Sequence, residues 1–129
     1  MFFLKPESLD KIRKHQPEHK AQSMFVQYAR LVLGKKWRLV FAIPNGGKRD
    51  VRAGKKLKDE GMLSGVPDIF VAIPKGIYSG LFIEMKSGYN KPTESQKEQI
   101  DALRNAGYKA EVCTGFDQAK EVFDKYLSL

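Results

Sequence analysis

The sequence predicts an α/β fold in which a mixed central β-sheet is flanked by helices. Short apolar runs bounded by turn residues follow one another through the middle of the chain, and three segments repeat apolar residues at helical spacing. The predicted order is helix, strand, strand, strand, helix, strand, helix. Consecutive central strands together with a crossover helix imply a sheet that mixes parallel and antiparallel pairs.

The 129 residues suit one domain. We predict a loosely packed lead-in over residues 1–17, which carry mixed charge and two prolines, and a single domain over residues 18–129. No apolar run approaches the ~20 residues that cross a bilayer, and the apolar start at residues 1–4 is too short for a signal peptide. The single Cys113 excludes an internal disulfide and suits a reducing compartment. We therefore expect a cytoplasmic protein.

The first helix is predicted to begin at Glu18 and to end at Gly34. Its apolar stripe follows the i, i+3, i+4, i+7 rule and consists of Ala21, Met24, Phe25, Tyr28, Leu31 and Val32. Glu18 lies on the same stripe, toward the first turn. A carboxylate there either complements the helix dipole or reaches the sheet as a metal or water ligand, and the pattern leaves both interpretations open.

A strand is predicted from Arg38 to Ile43, closed by the turn residues 44–47. The segment that follows is rich in lysine and arginine, contains glycines and carries only Asp50 as an acid, which predicts a flexible cationic loop. The net charge of +8 favours a polyanionic partner. A solvated basic segment is the alternative. We expect DNA contacts from Asn45, Lys48, Arg49, Arg52, Lys55, Lys56 and Lys58.

Two short strands then carry the most informative residues. The first, over residues 66–73, tolerates Pro67 near its start, and the second covers residues 81–86. Because side chains alternate along a strand, Glu84 and Lys86 project to one face, opposite Leu81, Ile83 and Met85. The residues between the two strands form a plausible turn.

Asp68, Glu84 and Lys86 predict a metal-assisted site. Mg²⁺ binds through one or two carboxylates together with phosphate oxygens and waters, which Asp68 and Glu84 can provide. Lys86 would orient or deprotonate the attacking water and stabilise charge that develops on a phosphodiester. The alternative is an exposed salt bridge at the end of a strand.

The last three elements follow from caps and periodicity. Thr93 caps a helix that Gly107 ends, and Gln96 occupies the third position of a capping box, either as a cap partner only or within reach of the site. A strand from Lys109 to Thr114 follows. Asp117 is predicted to cap the final helix. Its core positions are Ala119, Val122, Phe123, Tyr126 and Leu127.

Six short motifs in this order resemble the PD-(D/E)xK nuclease superfamily and, within it, the virus-type replication-repair nuclease (VRR-NUC) family. The resemblance covers about residues 18–127. The motifs are Glu18-His19-Lys20-Ala21-Gln22, Ile43-Pro44-Asn45-Gly46-Gly47, Gly61 with Gly65-Val66-Pro67-Asp68, Glu84-Met85-Lys86, Thr93-Glu94-Ser95-Gln96 and Gly107-Tyr108.

The resemblance implies a restriction-endonuclease-like fold and a structure-selective endonuclease that uses Mg²⁺ or Mn²⁺. Asp68, Glu84 and the main-chain carbonyl of Met85 would hold the metal. Glu18, in part through water, and Gln96 would complete the site. Small stand-alone members, from bacteria and phages, act as homodimers on four-way (Holliday) junctions, which places this chain in a bacterial or phage-infected host cell. Larger relatives cut flap structures.

These observations leave four functions to compare. A homodimeric junction resolvase leads, because two symmetric active sites suit two symmetric cuts. A flap or other branched-DNA nuclease is the next candidate. A non-catalytic, basic nucleic-acid-binding module would leave the carboxylates structural, and a sequence-specific restriction-type nuclease would need a loop that reads bases. No organic cofactor and no membrane partner are expected.

Overall fold

The computed structural model describes residues 18–44 and 51–129. Within them the helices are α1 (Glu18–Leu33), α2 (Val51–Asp59), α3 (Glu94–Asn105) and α4 (Gly115–Leu127). The strands are β1 (Val40–Ala42), β2 (Ile69–Val71), β3 (Leu81–Lys86) and β4 (Lys109–Thr114). A 3-10 turn, Gly34–Leu39, joins α1 to β1.

The described strands form one sheet in the order β1-β2-β3-β4. β2 pairs antiparallel with β1 and with β3, whereas β3 and β4 pair in parallel across the crossover helix α3. The predicted mixed sheet flanked by helices is therefore confirmed. None of the helices within the described residues has the length and apolar character needed to span a bilayer.

Helix α1 has the predicted bounds but a narrower buried stripe. It ends where Gly34 adopts a φ of 56°, a left-handed conformation that suits glycine. Its buried residues are Ala21, Phe25 and Ala29, and Phe25 packs edge-on against Phe123 of α4 at 5.6 Å between ring centroids. The predicted stripe was too wide, because only one narrow side of α1 lies between the sheet and α4. Met24, Leu31 and Val32 are exposed.

The first two strands are shorter than predicted. β1 begins at Val40 because the residues before it form the 3-10 turn. β2 keeps only three of the eight residues predicted for it. Pro67 has no N–H to donate and Pro74 follows closely, so ladder hydrogen bonding is restricted at both ends.

Two local predictions were wrong for identifiable reasons. The second half of the predicted cationic loop is helix α2, because lysine is a good helix former and one glycine, Gly54, does not prevent helix formation. Asp117 does not cap α4, which begins two residues earlier. There the side chain of Gln118 accepts a hydrogen bond from the backbone N–H of Thr114 at 2.8 Å, and Asp117 lies within the first turn.

Strand β3 separates two apolar clusters. Leu81, Ile83 and Met85 pack with α1 and α4 on one face of the sheet, in a cluster that also contains Cys113. Phe82 packs on the other face with Ile100 of α3. The predicted alternation is confirmed, and it places Glu84 and Lys86 on the face that α3 covers.

Candidate active site

The antiparallel register of β2 and β3 brings Asp68 beside Glu84. Ile69 pairs with Ile83, and continuing this register by one residue puts Asp68 opposite Glu84. Asp68 Oδ2 accepts a hydrogen bond from the backbone N–H of Met85 at 2.8 Å. The carboxylate is therefore fixed to β3 although it precedes the first residue of β2.

Glu84 is the most enclosed polar group at this position. Glu84 is 3% exposed and Lys86 is 8% exposed. Oε1 of Glu84 accepts from Gln96 Nε2 at 3.0 Å and lies 3.6 Å from Lys86 Nζ. Its other oxygen, Oε2, is buried and accepts no hydrogen bond from the N–H and O–H donors of the described residues, so only a proton shared with the Asp68 carboxyl could satisfy it. A buried carboxylate oxygen without a partner is costly, so the arrangement favours a ligand that takes this lone pair.

Both carboxyl groups hold protons more tightly than usual. Burial, followed by the charge of Asp68, raises the pKa of Glu84 to about 8. Burial also raises the pKa of Asp68, and the hydrogen bond from the Met85 N–H opposes that shift. Two carboxylates that share a site resist double ionisation. A cation bound between them would offset both the loss of hydration on burial and the repulsion between the two negative charges.

Gln96 is a cap partner that also contacts Glu84, and its role in the reaction stays a prediction. Its backbone N–H donates to Thr93 Oγ1 at 3.2 Å, and its side-chain Oε1 accepts from the Thr93 N–H at 2.9 Å, which completes a capping box. The remaining amide nitrogen donates to Glu84. The cap therefore fixes the orientation in which Gln96 contacts the carboxylate.

Glu18 lies at the margin of this group. It occupies the first turn of α1, and its charge contributes to the raised pKa of Asp68. Over residues 18–44 and 51–129, no set of three or more histidine, cysteine or acidic side chains is spaced to hold a metal ion. Glu18 therefore does not form a compact three-carboxylate cluster with Asp68 and Glu84, and its ligand role stays a prediction, as does that of the Met85 carbonyl.

Helix α2 lies near the segment that leads to Asp68, since its residue Leu57 and Val66 of that segment line the same hollow. Lys55, Lys56 and Lys58 are exposed. A hollow of about 490 Å³ between α2 and the chain on either side of β1 and β2 is lined by Ile43, Pro44, Leu57, Gly61, Met62, Leu63 and Val66. This hollow places α2 against the segment that leads to Asp68. Asn45, Lys48, Arg49 and the side chain of Arg52 lie outside the described residues.

Gly65, which the sequence analysis quoted only as part of a family motif, is a positioning residue. Its φ is +91°, and a Cβ there would lie 2.5 Å from the carbonyl oxygen of Ser95 and 2.9 Å from the backbone nitrogen of Gln96. The glycine thus lets the segment that carries Asp68 touch the start of α3. Ser95, which it approaches, is thirty residues further along the chain. The local sequence therefore indicates only that a glycine lies near a turn.

The comparisons with known proteins agree with this architecture. The family model of the VRR-NUC domain matches residues 6–117. A solved chain titled "VRR_NUC domain protein" is 28% identical with a TM-score of 0.77, covering 89% of this chain and 91% of its own. A second, titled "VRR_NUC domain", is 22% identical with a TM-score of 0.54, covers 84% of this chain and 96% of its own, and supports the fold alone. No curated protein gives a match. The chain therefore belongs to the VRR-NUC domain family of nucleases, as the resemblance predicted.

Proposed function

We propose that this nuclease is a Mg²⁺- or Mn²⁺-dependent endodeoxyribonuclease whose reaction centre consists of Asp68, Glu84 and Lys86. The observation that carries the proposal is that the Glu84 and Asp68 carboxyl groups share one hydrogen bond, while Glu84 Oε2 is buried with no other partner among the described residues. This oxygen lies on a carboxylate that already contacts an ammonium and an amide. An ion pair between Glu84 and Lys86 alone would not require a second carboxyl group beside it.

The donors present fit a hard divalent cation. Asp68 and Glu84 offer carboxylate oxygens from adjacent positions of the sheet, the ligand type that Mg²⁺ and Mn²⁺ prefer. Both carboxyl groups have raised pKa values that a cation would lower. When bound, the cation supplies Lewis-acid polarisation of the phosphodiester. Glu18, through water, and the Met85 carbonyl are the further ligands that we propose.

The protein's own groups would position and stabilise the reacting atoms. Water attacks phosphorus in line and the 3′ oxygen leaves, so the charge to be stabilised develops on the phosphate oxygens. Lys86 Nζ, 3.6 Å from Glu84, is a cation already held near that point and assists the attacking water. Gln96 keeps Glu84 oriented through its own cap contacts. The basic face of α2 attracts the DNA backbone.

As substrate we propose four-way (Holliday) junctions, cut by a homodimer. The support is the resemblance to small stand-alone members of the family. Two equivalent active sites related by a two-fold axis match the two symmetric cuts that resolve a junction. A flap nuclease would need only one site.

The direct test compares substrates and cations. Purified protein is incubated with a labelled four-way junction, a 5′ flap, a splayed arm and a linear duplex, each with Mg²⁺, Mn²⁺ or chelator. We expect paired cuts in the junction that require a divalent cation, by a species that light scattering measures as a dimer. Preferential cutting of the flap by a monomer would replace the junction proposal. No divalent-dependent product on any substrate would favour a binding module.

A further inference from the structure

Trp37, three exposed basic residues that follow α1 and the half-buried Arg30 in its last turn form a basic patch. Trp37, the chain's only tryptophan, lies in the 3-10 turn and is 41% exposed. The guanidinium carbon of Arg38 lies 4.6 Å from the centre of its ring, and that of Arg30 lies 5.3 Å away. Lys35 and Lys36 are exposed beside it. We call these five residues the Trp37 patch.

The charge of the patch is not neutralised locally. No acidic residue occurs between Glu18 and Asp50 in the sequence. Among the described residues, none of the ion pairs involves a member of the patch. A second copy of this chain would bring the same positive charge and a net charge of +8 to the interface. A polyanion is therefore the occupant that complements the patch.

The two guanidinium groups are held in place. Cation–π contact with the indole ring restrains both. Arg30 also donates from Nη2 to the Val40 carbonyl at 3.2 Å. Planar guanidinium groups with restricted freedom are suited to phosphate oxygens, because less conformational entropy is lost on binding. An adjoining hollow of about 540 Å³ is lined by Gln27, Arg30, Leu31, Gly34 and Trp37.

Helix α1 sets the distance from the patch to the carboxylates. Its 16 residues, at about 1.5 Å of rise each, span roughly 24 Å. Its first residue, Glu18, acts electrostatically on Asp68, whereas Arg30 lies in its last turn and Trp37 lies beyond its end.

We propose that the Trp37 patch binds the phosphate backbone of a duplex arm of the DNA, about one helix length of α1 away from the carboxylates. The inference rests on the nuclease function proposed above and adds a second contact surface to it. The indole ring already contacts two guanidinium groups, so it serves to orient charge, and sequence-independent phosphate contact is the expected mode.

The test measures binding without cleavage. Wild-type protein in chelator is titrated into a labelled duplex long enough to span both surfaces, and affinity is followed by anisotropy over a range of salt. Arg38→Gln should weaken binding several-fold and reduce the slope of log K against log salt by about 0.9. Trp37→Ala should weaken binding although it removes no charge. Lys125→Gln, which makes the same charge change on exposed α4, is the matched control.

Tryptophan emission gives a second readout, because Trp37 is the only source. We expect the emission to change in parallel with anisotropy and to saturate with it. The proposal is overturned if emission is unchanged at saturation, or if Arg38→Gln and Lys125→Gln give the same affinity and salt slope. Emission that depends on protein concentration without DNA would assign the patch to self-association instead. Binding that follows our expectation with no cleavage in Mg²⁺ or Mn²⁺ would refute the proposed function alone.

Discussion

At the scale of single residues, the site depends on a carboxylate that the fold cannot satisfy by itself. Glu84 uses one oxygen for Gln96 and Lys86, and the other is buried with only the Asp68 carboxyl to share a proton with it. Its pKa is raised to about 8, chiefly by burial. In the metal-free protein, ionisation of Glu84 therefore opposes folding at neutral to alkaline pH.

We predict that Glu84→Gln stabilises the metal-free protein at high pH. The folded pKa of about 8 exceeds the ordinary 4.5, so the folded state binds the extra proton between these values. The stability that this proton contributes is fully present below pH 4.5 and is lost as the pH rises through about 8. Glu84→Gln removes this loss and should raise the free energy of unfolding at pH 8 by about 1–3 kcal/mol.

Urea denaturation in chelator from pH 5 to pH 9 measures this effect. Glu121→Gln, at an exposed carboxylate on α4, should keep the wild-type pH profile. A Glu84→Gln variant that is less stable than wild type at pH 8 would contradict the assignment of an unsatisfied buried charge.

A second residue-scale prediction concerns Gly65. Gly65→Ala forces a Cβ to within 2.5 Å of the Ser95 carbonyl, so either the Asp68 segment or the start of α3 must move. We expect a loss of about 2 kcal/mol or more in the free energy of unfolding and slower cleavage. Gly61→Ala is the control, because its φ of +104° carries similar strain with nothing within 4 Å. Equal effects of the two substitutions in denaturation and cleavage assays would refute the close-approach argument.

At the scale of elements, the sequence was informative where one local rule decided the structure. Alternation along β3 predicted the face of Glu84 and Lys86, and the capping box predicted the start of α3. Sequence patterns gave wrong predictions where tertiary packing or competing propensities determined the local structure. The 3-10 turn shortened β1, and the lysine-rich segment with Gly54 formed α2 instead of a loop. The contact of Gln96 with Glu84 required the packing of α3 on the sheet, which no local pattern contains.

The two functions of Gln96 can be separated by comparison with its cap partner. Thr93→Ala and Gln96→Ala each remove half of the capping box, and each should lower the free energy of unfolding by about 1 kcal/mol. Only Gln96→Ala removes the hydrogen bond to Glu84. We expect cleavage to fall about tenfold for Gln96→Ala, the equivalent of one hydrogen bond to a charged group, and to stay near wild type for Thr93→Ala. Equal cleavage rates for the two variants would mean that Gln96 acts only as a helix-capping residue.

At the scale of the whole molecule, an excess of positive charge surrounds a small acidic centre. The exposed lysines of α2 lie on the element that borders the segment leading to Asp68, and the Trp37 patch lies about one helix length from that residue. Net charge and its sign were readable from composition, whereas the position of each basic group relative to the carboxylates was not. That position depends on how α1 and α2 pack against the sheet.

Neutralising Lys55, Lys56 and Lys58 together as glutamine should weaken binding to all DNA sequences alike. If each lysine neutralises one phosphate, the slope of log K against log salt should fall by about 0.9 for each. Fluorescence anisotropy in chelator at several salt concentrations provides the measurement. An unchanged slope of log K against log salt would show that these lysines of α2 do not contact the DNA phosphates.

The central claim is that Asp68 and Glu84 together hold one divalent cation, and calorimetric titration with Mn²⁺ tests it most directly. We predict one site in each wild-type chain, lost in both Asp68→Asn and Glu84→Gln and largely kept in Lys86→Ala, whose cleavage rate nevertheless falls. Mn²⁺ affinity that is the same in wild type, Asp68→Asn and Glu84→Gln would contradict the account.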